Sequence, residues 1–242
     1  MSERSAAGAP SLGSAVLVHG MWSSPADWQW VERLLREANV EVSIPDLPSH
    51  RSTLGTVADD AAEVREAIRA CSGPVVVVGW SYGGKVISMA AEGEAAVVRL
   101  IYVANIPSPP DDVETLDTSW IDNDPHILVN ADQSFVLDND WWFEAEVERL
   151  FSGEVLEHLR HHPRRPASRA AAADPQTAAA WQTIPTTVLI GRRDDLLPVD
   201  ERNWAAQHLD DVRDLDTDHF ILMHHPEVVA GVVLEALGEA GR

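Results

Sequence analysis

Val75 to Val78 are four consecutive valines, and they run directly into Gly79-Trp80-Ser81-Tyr82-Gly83-Gly84. A β-branched run with no polar position has no face to offer water, so it predicts a strand buried on both sides, the situation in a parallel sheet covered by helices. Five more short runs, at residues 14–19, 40–44, 98–103, 186–191 and 212–216, are mostly continuous in Val, Ile and Leu. Between them, residues 26–38, 56–70, 82–92, 199–209 and 226–237 place apolar side chains every three or four positions, which predicts helices. This alternation predicts an α/β fold with a doubly wound, mostly parallel sheet. It stops at residues 107–183, where Ser-Pro-Pro-Asp-Asp opens a stretch with two tryptophan-rich patches and no convincing strand. The expectation is a core of residues 1–106 and 184–242 interrupted by a helical cap. Within the cap, Trp142, Val147, Leu150, Phe151, Leu156 and Leu159 keep helical spacing, as two helices broken at Ser152-Gly153.

Composition narrows the function. No apolar run approaches the roughly 20 residues of a membrane span. Against 39 Asp+Glu the chain has 18 Lys+Arg, and the resulting charge of −21 repels phosphates, so neither nucleic acid nor an anionic membrane is an expected partner. The acidity is concentrated: residues 107–157 hold 14 acidic side chains against one basic, Arg149. A single cysteine, Cys71, leaves no internal disulfide and no cysteine-rich metal site. The first 13 residues are Ser/Ala/Gly-rich without a basic-then-apolar pattern, so the expected compartment is the cytoplasm.

Gly79-x-Ser81-x-Gly83 is weak as a bare motif, but its setting between a valine strand and an apolar helix is that of a serine held on a sharp strand-to-helix turn. A serine hydroxyl is a poor nucleophile without a base, and the base needs a third group to orient it. Of ten histidines, His219 follows the last predicted strand and so reaches the carboxyl edge of the sheet, where the turn also emerges. The others, among them His50, His126, His158, His161, His162, His208, His224 and His225, read singly as surface residues, and no H-E-x-x-H or third ligand supports a metal site. His19, at the end of the first strand, reads as a residue that holds its loop by hydrogen bonds. For the orienting acid, the strand at 186–191 ends in a turn bearing Asp194 and Asp195; Asp216 and Asp218 lie too close to His219 and read as turn caps. Gly20 lets the chain turn back after the first strand, so the Met21 amide can join that of Tyr82 as a two-donor oxyanion hole.

The series His19-Gly20, Asp46-Leu-Pro48-Ser-His50, Gly79-x-Ser81-x-Gly83-Gly84, Gly191-x-x-Asp194-x-x-x-Pro198 and Asp218-His219 resembles the α/β-hydrolase superfamily across nearly the whole chain. It is especially similar to small, cofactor-free bacterial esterases, and more distantly to plant methyl salicylate esterases and hydroxynitrile lyases. The resemblance implies Ser81 as nucleophile, Asp194 as acid, His219 as base and Met21 and Tyr82 as oxyanion donors, with no cofactor and no metal. It implies a small ester or lactone as substrate. Gly20 and Phe220 stand where the lyases carry threonine and lysine, and Ser81 stands where dehalogenases and epoxide hydrolases carry aspartate, which favours acyl transfer. A receptor with an intact triad and slow turnover, or a hydroxynitrile-lyase-like enzyme, is the alternative on the same fold. For the pocket, the aromatic candidates are Trp22, Trp80 and Phe220 beside the triad and Trp141 and Trp142 in the cap. Trp28, Trp30, Trp181 and Trp204 read as packing residues, and Lys85, the only lysine, as a solvated side chain.

Overall fold

The computed structural model describes residues 11–111 and 113–241. Its centre is a six-stranded sheet of Ser14–Val18 (β1), Glu41–Ser43 (β2), Val75–Trp80 (β3), Val97–Val103 (β4), Thr186–Gly191 (β7) and Val212–Leu215 (β8). The spatial order is β2-β1-β3-β4-β7-β8, and every pairing is parallel. All six predicted strands are present within a residue or two.

The valine run explains itself in this setting. Val76 and Val78 enter one core, with Leu17 and Ile101, while Val75 and Val77 enter the other, with Val16 and Leu100. Alternate side chains of one strand therefore fill two separate layers. The first layer lies under Gln29–Glu37 (α1) and Pro226–Ala240 (α11), the second under Val57–Ala70 (α2) and Tyr82–Ala90 (α3). Helix α2 starts at a capping box, in which the Thr56 hydroxyl accepts from the Asp59 amide and the Asp59 carboxylate accepts from the Thr56 amide. The region predicted as one helix from residue 26 instead opens with a 3-10 turn, Pro25–Trp28, because Pro25 follows the capping Ser24 and sets a tight first turn. Val199–His208 (α9) and the short Ile221–His224 (α10) complete the core helices.

Between β4 and β7 the chain forms Ser119–Asn123 (α4), Ile127–Val129 (β5), Phe135–Leu137 (β6) and Asn139–Trp142 (α5). A π-helical turn, Phe143–Val147, leads from α5 into Glu148–Leu150 (α6), followed by Gly153–His161 (α7) and Arg169–Ala173 (α8). The break at Ser152-Gly153 is where the spacing placed it, with Gly153 at a φ of 57°. The strands β5 and β6 correct the expectation of an all-helical insertion: they pair as an antiparallel hairpin, with Gln133 in the left-handed region near its turn. Three residues per strand give too short an alternation to stand out in sequence. Among the described residues no helix is long and apolar enough to cross a membrane.

Candidate active site

The chain runs from β1 to β2 on one side and then returns to β3 on the other, so the direction of winding reverses between β1 and β3. Such a switch point leaves a crevice at the carboxyl ends of the two strands. Gly20 and Ser81, which follow those strands, meet there: a Cβ built on Gly20 would lie 3.3 Å from that of Ser81.

Ser81 sits at φ 51°, ψ −121°, a left-handed conformation that a non-glycine residue adopts only when its surroundings impose it. Its amide donates to the Val103 carbonyl at 2.9 Å and its carbonyl accepts from the Gly84 amide at 2.8 Å. Gly79 and Gly83 make the crossing possible: a Cβ on Gly79 would stand 2.5 Å from the Gly83 oxygen, and one on Gly83 2.5 Å from the Val18 oxygen. As the first residue of α3, Tyr82 has no intrahelical acceptor for its amide. The Met21 amide likewise donates to no acceptor among the described residues.

Asp194 and His219 come together from the loops after β7 and β8. The Asp194 carboxylate is 1% exposed and lies 2.8 Å from His219 Nδ1, whereas Asp195 is exposed. The structure thus separates two aspartates that adjacent positions left open. Leu196 donates its amide to the other Asp194 oxygen at 3.0 Å, and Arg202 holds the Asp194 carbonyl. His219 is tied to the residue before Ser81, since Trp80 Nε1 donates to the His219 carbonyl at 3.0 Å. The Ser81 hydroxyl makes no hydrogen bond with a described residue. With Nδ1–H directed at a carboxylate, the neutral His219 ring keeps Nε2 as an acceptor. Asp218 accepts from the Phe220 amide and pairs with His224, so it does cap the turn.

Of the five aromatic candidates the structure sets two, Trp80 and Phe220, against His219 at 5.9 Å each, and a third, Trp142, behind Phe220. The Phe220 ring lies 5.8 Å from Trp80 and 6.3 Å from Trp142, and Phe151 closes on it at 5.3 Å. Trp22 turns away into a small cluster with Phe135 and Trp120, and Trp141 stacks on His126 at 3.8 Å. A cavity of about 660 Å³ opens between α3, the chain after β4 and α9, lined by Lys85, Asn105, Ser108 and Trp204 among others. Neither Ser81, Asp194 and His219 nor the five aromatic candidates line it.

Several polar residues have other surroundings than the sequence suggested. Lys85 is half-buried and donates to the Asp174 carbonyl, and burial pulls its ammonium below the ordinary lysine range. His50 and His158 are buried rather than superficial. His158 packs edge-on against Trp30 and lies 3.8 Å from Asp27, which also pairs with Arg164 at 3.1 Å. His19 acts as expected, its Nε2 accepting from the Leu47 amide while Nδ1 faces the Gly20 carbonyl. Among the described residues no group of three or more His, Cys, Asp or Glu side chains is arranged to hold a metal.

The comparisons agree with this architecture. A protein from Aspergillus novofumigatus described as alpha/beta hydrolase nvfD is 27% identical over 93% of this chain and 96% of its own. A pimeloyl-[acyl-carrier protein] methyl ester esterase from Chromobacterium violaceum is 28% identical over 70% of this chain and 72% of its own. Among solved structures, tomato methylketone synthase I complexed with 2-tridecanone superposes with a TM-score of 0.74 at 17% identity, covering 94% and 98% of the two chains. The family model for the alpha/beta hydrolase family matches residues 15–232, nearly the whole described chain, and the protein belongs to that family.

Proposed function

We propose that this protein is a serine hydrolase that cleaves a small, mainly uncharged carboxylic ester or lactone through an acyl-enzyme on Ser81. The observation that carries the reading is the 2.8 Å contact between Asp194 and His219 Nδ1, in a loop hydrogen-bonded to the residue before a left-handed serine. Asp194 fixes the tautomer, so His219 Nε2 takes the Ser81 proton as Oγ attacks the carbonyl carbon. The Met21 and Tyr82 amides receive the oxyanion. On collapse the C–O bond to the alcohol breaks, and His219 returns the proton to the leaving oxygen. Water then repeats the sequence on the acyl-enzyme, releasing the carboxylic acid and free Ser81.

The substrate class follows from the walls. The half-buried Phe220 stands next to the base with the buried Trp80, Trp142 and Phe151 packed behind it, and residues 107–183, read as a cap, carry an acidic exterior that disfavours anionic esters. Esterase activity in the Chromobacterium relative supports the reaction type. The test is hydrolysis of short p-nitrophenyl esters. Ser81→Ala is expected to abolish turnover with the fold intact, and Asp194→Asn to cost about 10⁴-fold, far more than Asp195→Asn. Undiminished turnover by Ser81→Ala would end the proposal. Labelling of Ser81 by a fluorophosphonate without turnover on any ester would favour a receptor instead.

A further inference from the structure

Beneath the site lies a chain of buried polar groups whose hydrogen-bond directions are all fixed. The Trp22 amide can only donate, and it lies 3.0 Å from His50 Nε2, so that nitrogen is the acceptor and the ring carries its proton on Nδ1. Nδ1–H then donates to Ser49 Oγ at 2.9 Å, and the Ser49 hydroxyl passes its own hydrogen to Asp60 Oδ2 at 2.6 Å. The same carboxylate accepts the Ser49 amide at 2.8 Å and the Tyr82 hydroxyl at 2.7 Å. Ser49 and Asp60 are at most 1% exposed, His50 7% and Tyr82 9%.

The two ends of this chain are the informative part. One end holds Trp22, the residue after Met21, and the other holds Tyr82 by its own side chain; the amides of Met21 and Tyr82, one following β1 and the other following Ser81, donate to no acceptor among the described residues. Trp22 needs holding, because it sits at φ 59°. Its carbonyl is held from the inserted segment, by the Arg165 amide at 2.8 Å, so its backbone is gripped on both polar atoms.

We propose that His50, Ser49 and Asp60 form one positioning network that sets the Met21 and Tyr82 amides at the spacing the oxyanion requires. The inference rests on the serine-hydrolase reading and assigns residues outside the triad to transition-state binding. His50 acts through the Trp22 backbone and does not touch the substrate. Burial pushes its imidazole well below the ordinary histidine range, which keeps Nε2 an acceptor. Asp60, raised by burial against its Ser49 and Tyr82 donors, is the anchor.

The network predicts a selective defect. In His50→Leu the Trp22 amide loses its acceptor, and kcat for p-nitrophenyl acetate is expected to fall about 30-fold with KM little changed, less than the 100-fold or more expected when an oxyanion donor is removed outright. Affinity for an aryl trifluoromethyl ketone, which mimics the tetrahedral intermediate, should fall by a similar factor. His50→Gln, whose amide oxygen reaches the Nε2 position, should retain activity to within about 5-fold. If His50→Leu does not fold, Tyr82→Phe makes the same test from the other end, with an expected loss of about 5-fold in kcat.

A folded His50→Leu with unchanged kcat, or a loss confined to KM, or equal losses in the Leu and Gln variants would overturn the network. Complete fluorophosphonate labelling of Ser81 in every variant separates that failure from failure of the underlying reading. If wild-type Ser81 does not label and Ser81→Ala keeps full turnover, both fall together.

Discussion

The walls of the candidate site come from two regions held together by different means. At the sheet edge, position is set by backbone: parallel register brings Gly79 beside Tyr102, and two glycines let α3 cross β1 and β3 where no Cβ fits. The inserted segment is held by side chains that reach back to the core. Arg164 pairs with Asp27 and Arg165 forks onto Asp46 at 2.6 and 3.3 Å, while inside the segment Asn139 exchanges hydrogen bonds with the Arg164 backbone and so fixes where the two arginines start. A site wall can thus be fixed by steric exclusion or by charge, and the two should fail differently.

The sharpest way to break the contrast is to remove the charge. Arg164 is buried with only part of its guanidinium satisfied: it pairs with Asp27 and lies over the Trp142 ring, while Nε and Nη2 have no partner among the described residues. Removing it alone leaves the buried Asp27 without its guanidinium partner, with only the Ser23 hydroxyl and His158 beside it, so Arg164→Met is expected to cost about 3 kcal/mol in chemical denaturation. The double variant Asp27→Asn/Arg164→Met should recover most of that loss, because the desolvation of both charges disappears with them. Equal losses in the single and double variants would show that packing, rather than charge, holds the segment.

A smaller effect probes the sheet edge. Gly83→Ala places a methyl against the Val18 carbonyl, a backbone atom that cannot rotate away. The expected cost is about 2–3 kcal/mol, unaffected by salt, with a loss of ester turnover because Ser81 must shift. A fully stable and active Gly83→Ala would mean the crossing is looser than the distances require.

The same contrast explains what could be read in the sequence. Steric constraints leave local marks, so Val75 to Val78, Gly79, Ser81 and Gly83 announced strand, turn and helix at once. The choice of Asp194 over Asp195 needed the family pattern, since one turn carries both and only burial separates them. Charge clasps leave no such mark: Asp27 and Arg164 are 137 positions apart, and neither type is unusual where it stands. His50 is the instructive case, because its place in the Asp46-to-His50 stretch carried the resemblance, while its role depends on the Trp22 backbone, which no pattern reveals. The hairpin and the diversion of Trp22 toward Phe135 were hidden for a related reason: both depend on contacts inside the insertion, where aromatic content alone does not choose between packing and pocket.

The smallest effect follows from protons. Burial pushes the Asp27 carboxyl up, but Arg164, His158 and Ser23 outweigh it and bring it down to about 2 from the ordinary 3.8. A carboxyl with a depressed folded pKa binds fewer protons in the folded state than in the unfolded one. Its contribution is therefore complete above pH 4 and is lost as pH falls toward 2, an amount on the order of 2 kcal/mol. Asp46 is likewise held below the usual carboxylate range by His19 and Arg165 against its partial burial, so the comparison has to be made between wild type and Asp27→Asn. Denaturant unfolding from pH 5 to pH 2 should show the difference between the two proteins narrowing by about that amount. A difference that stays constant with pH would mean that Asp27 holds the inserted segment by hydrogen bonds that survive protonation, and the distinction between a charge-held wall and a sterically held one would then dissolve.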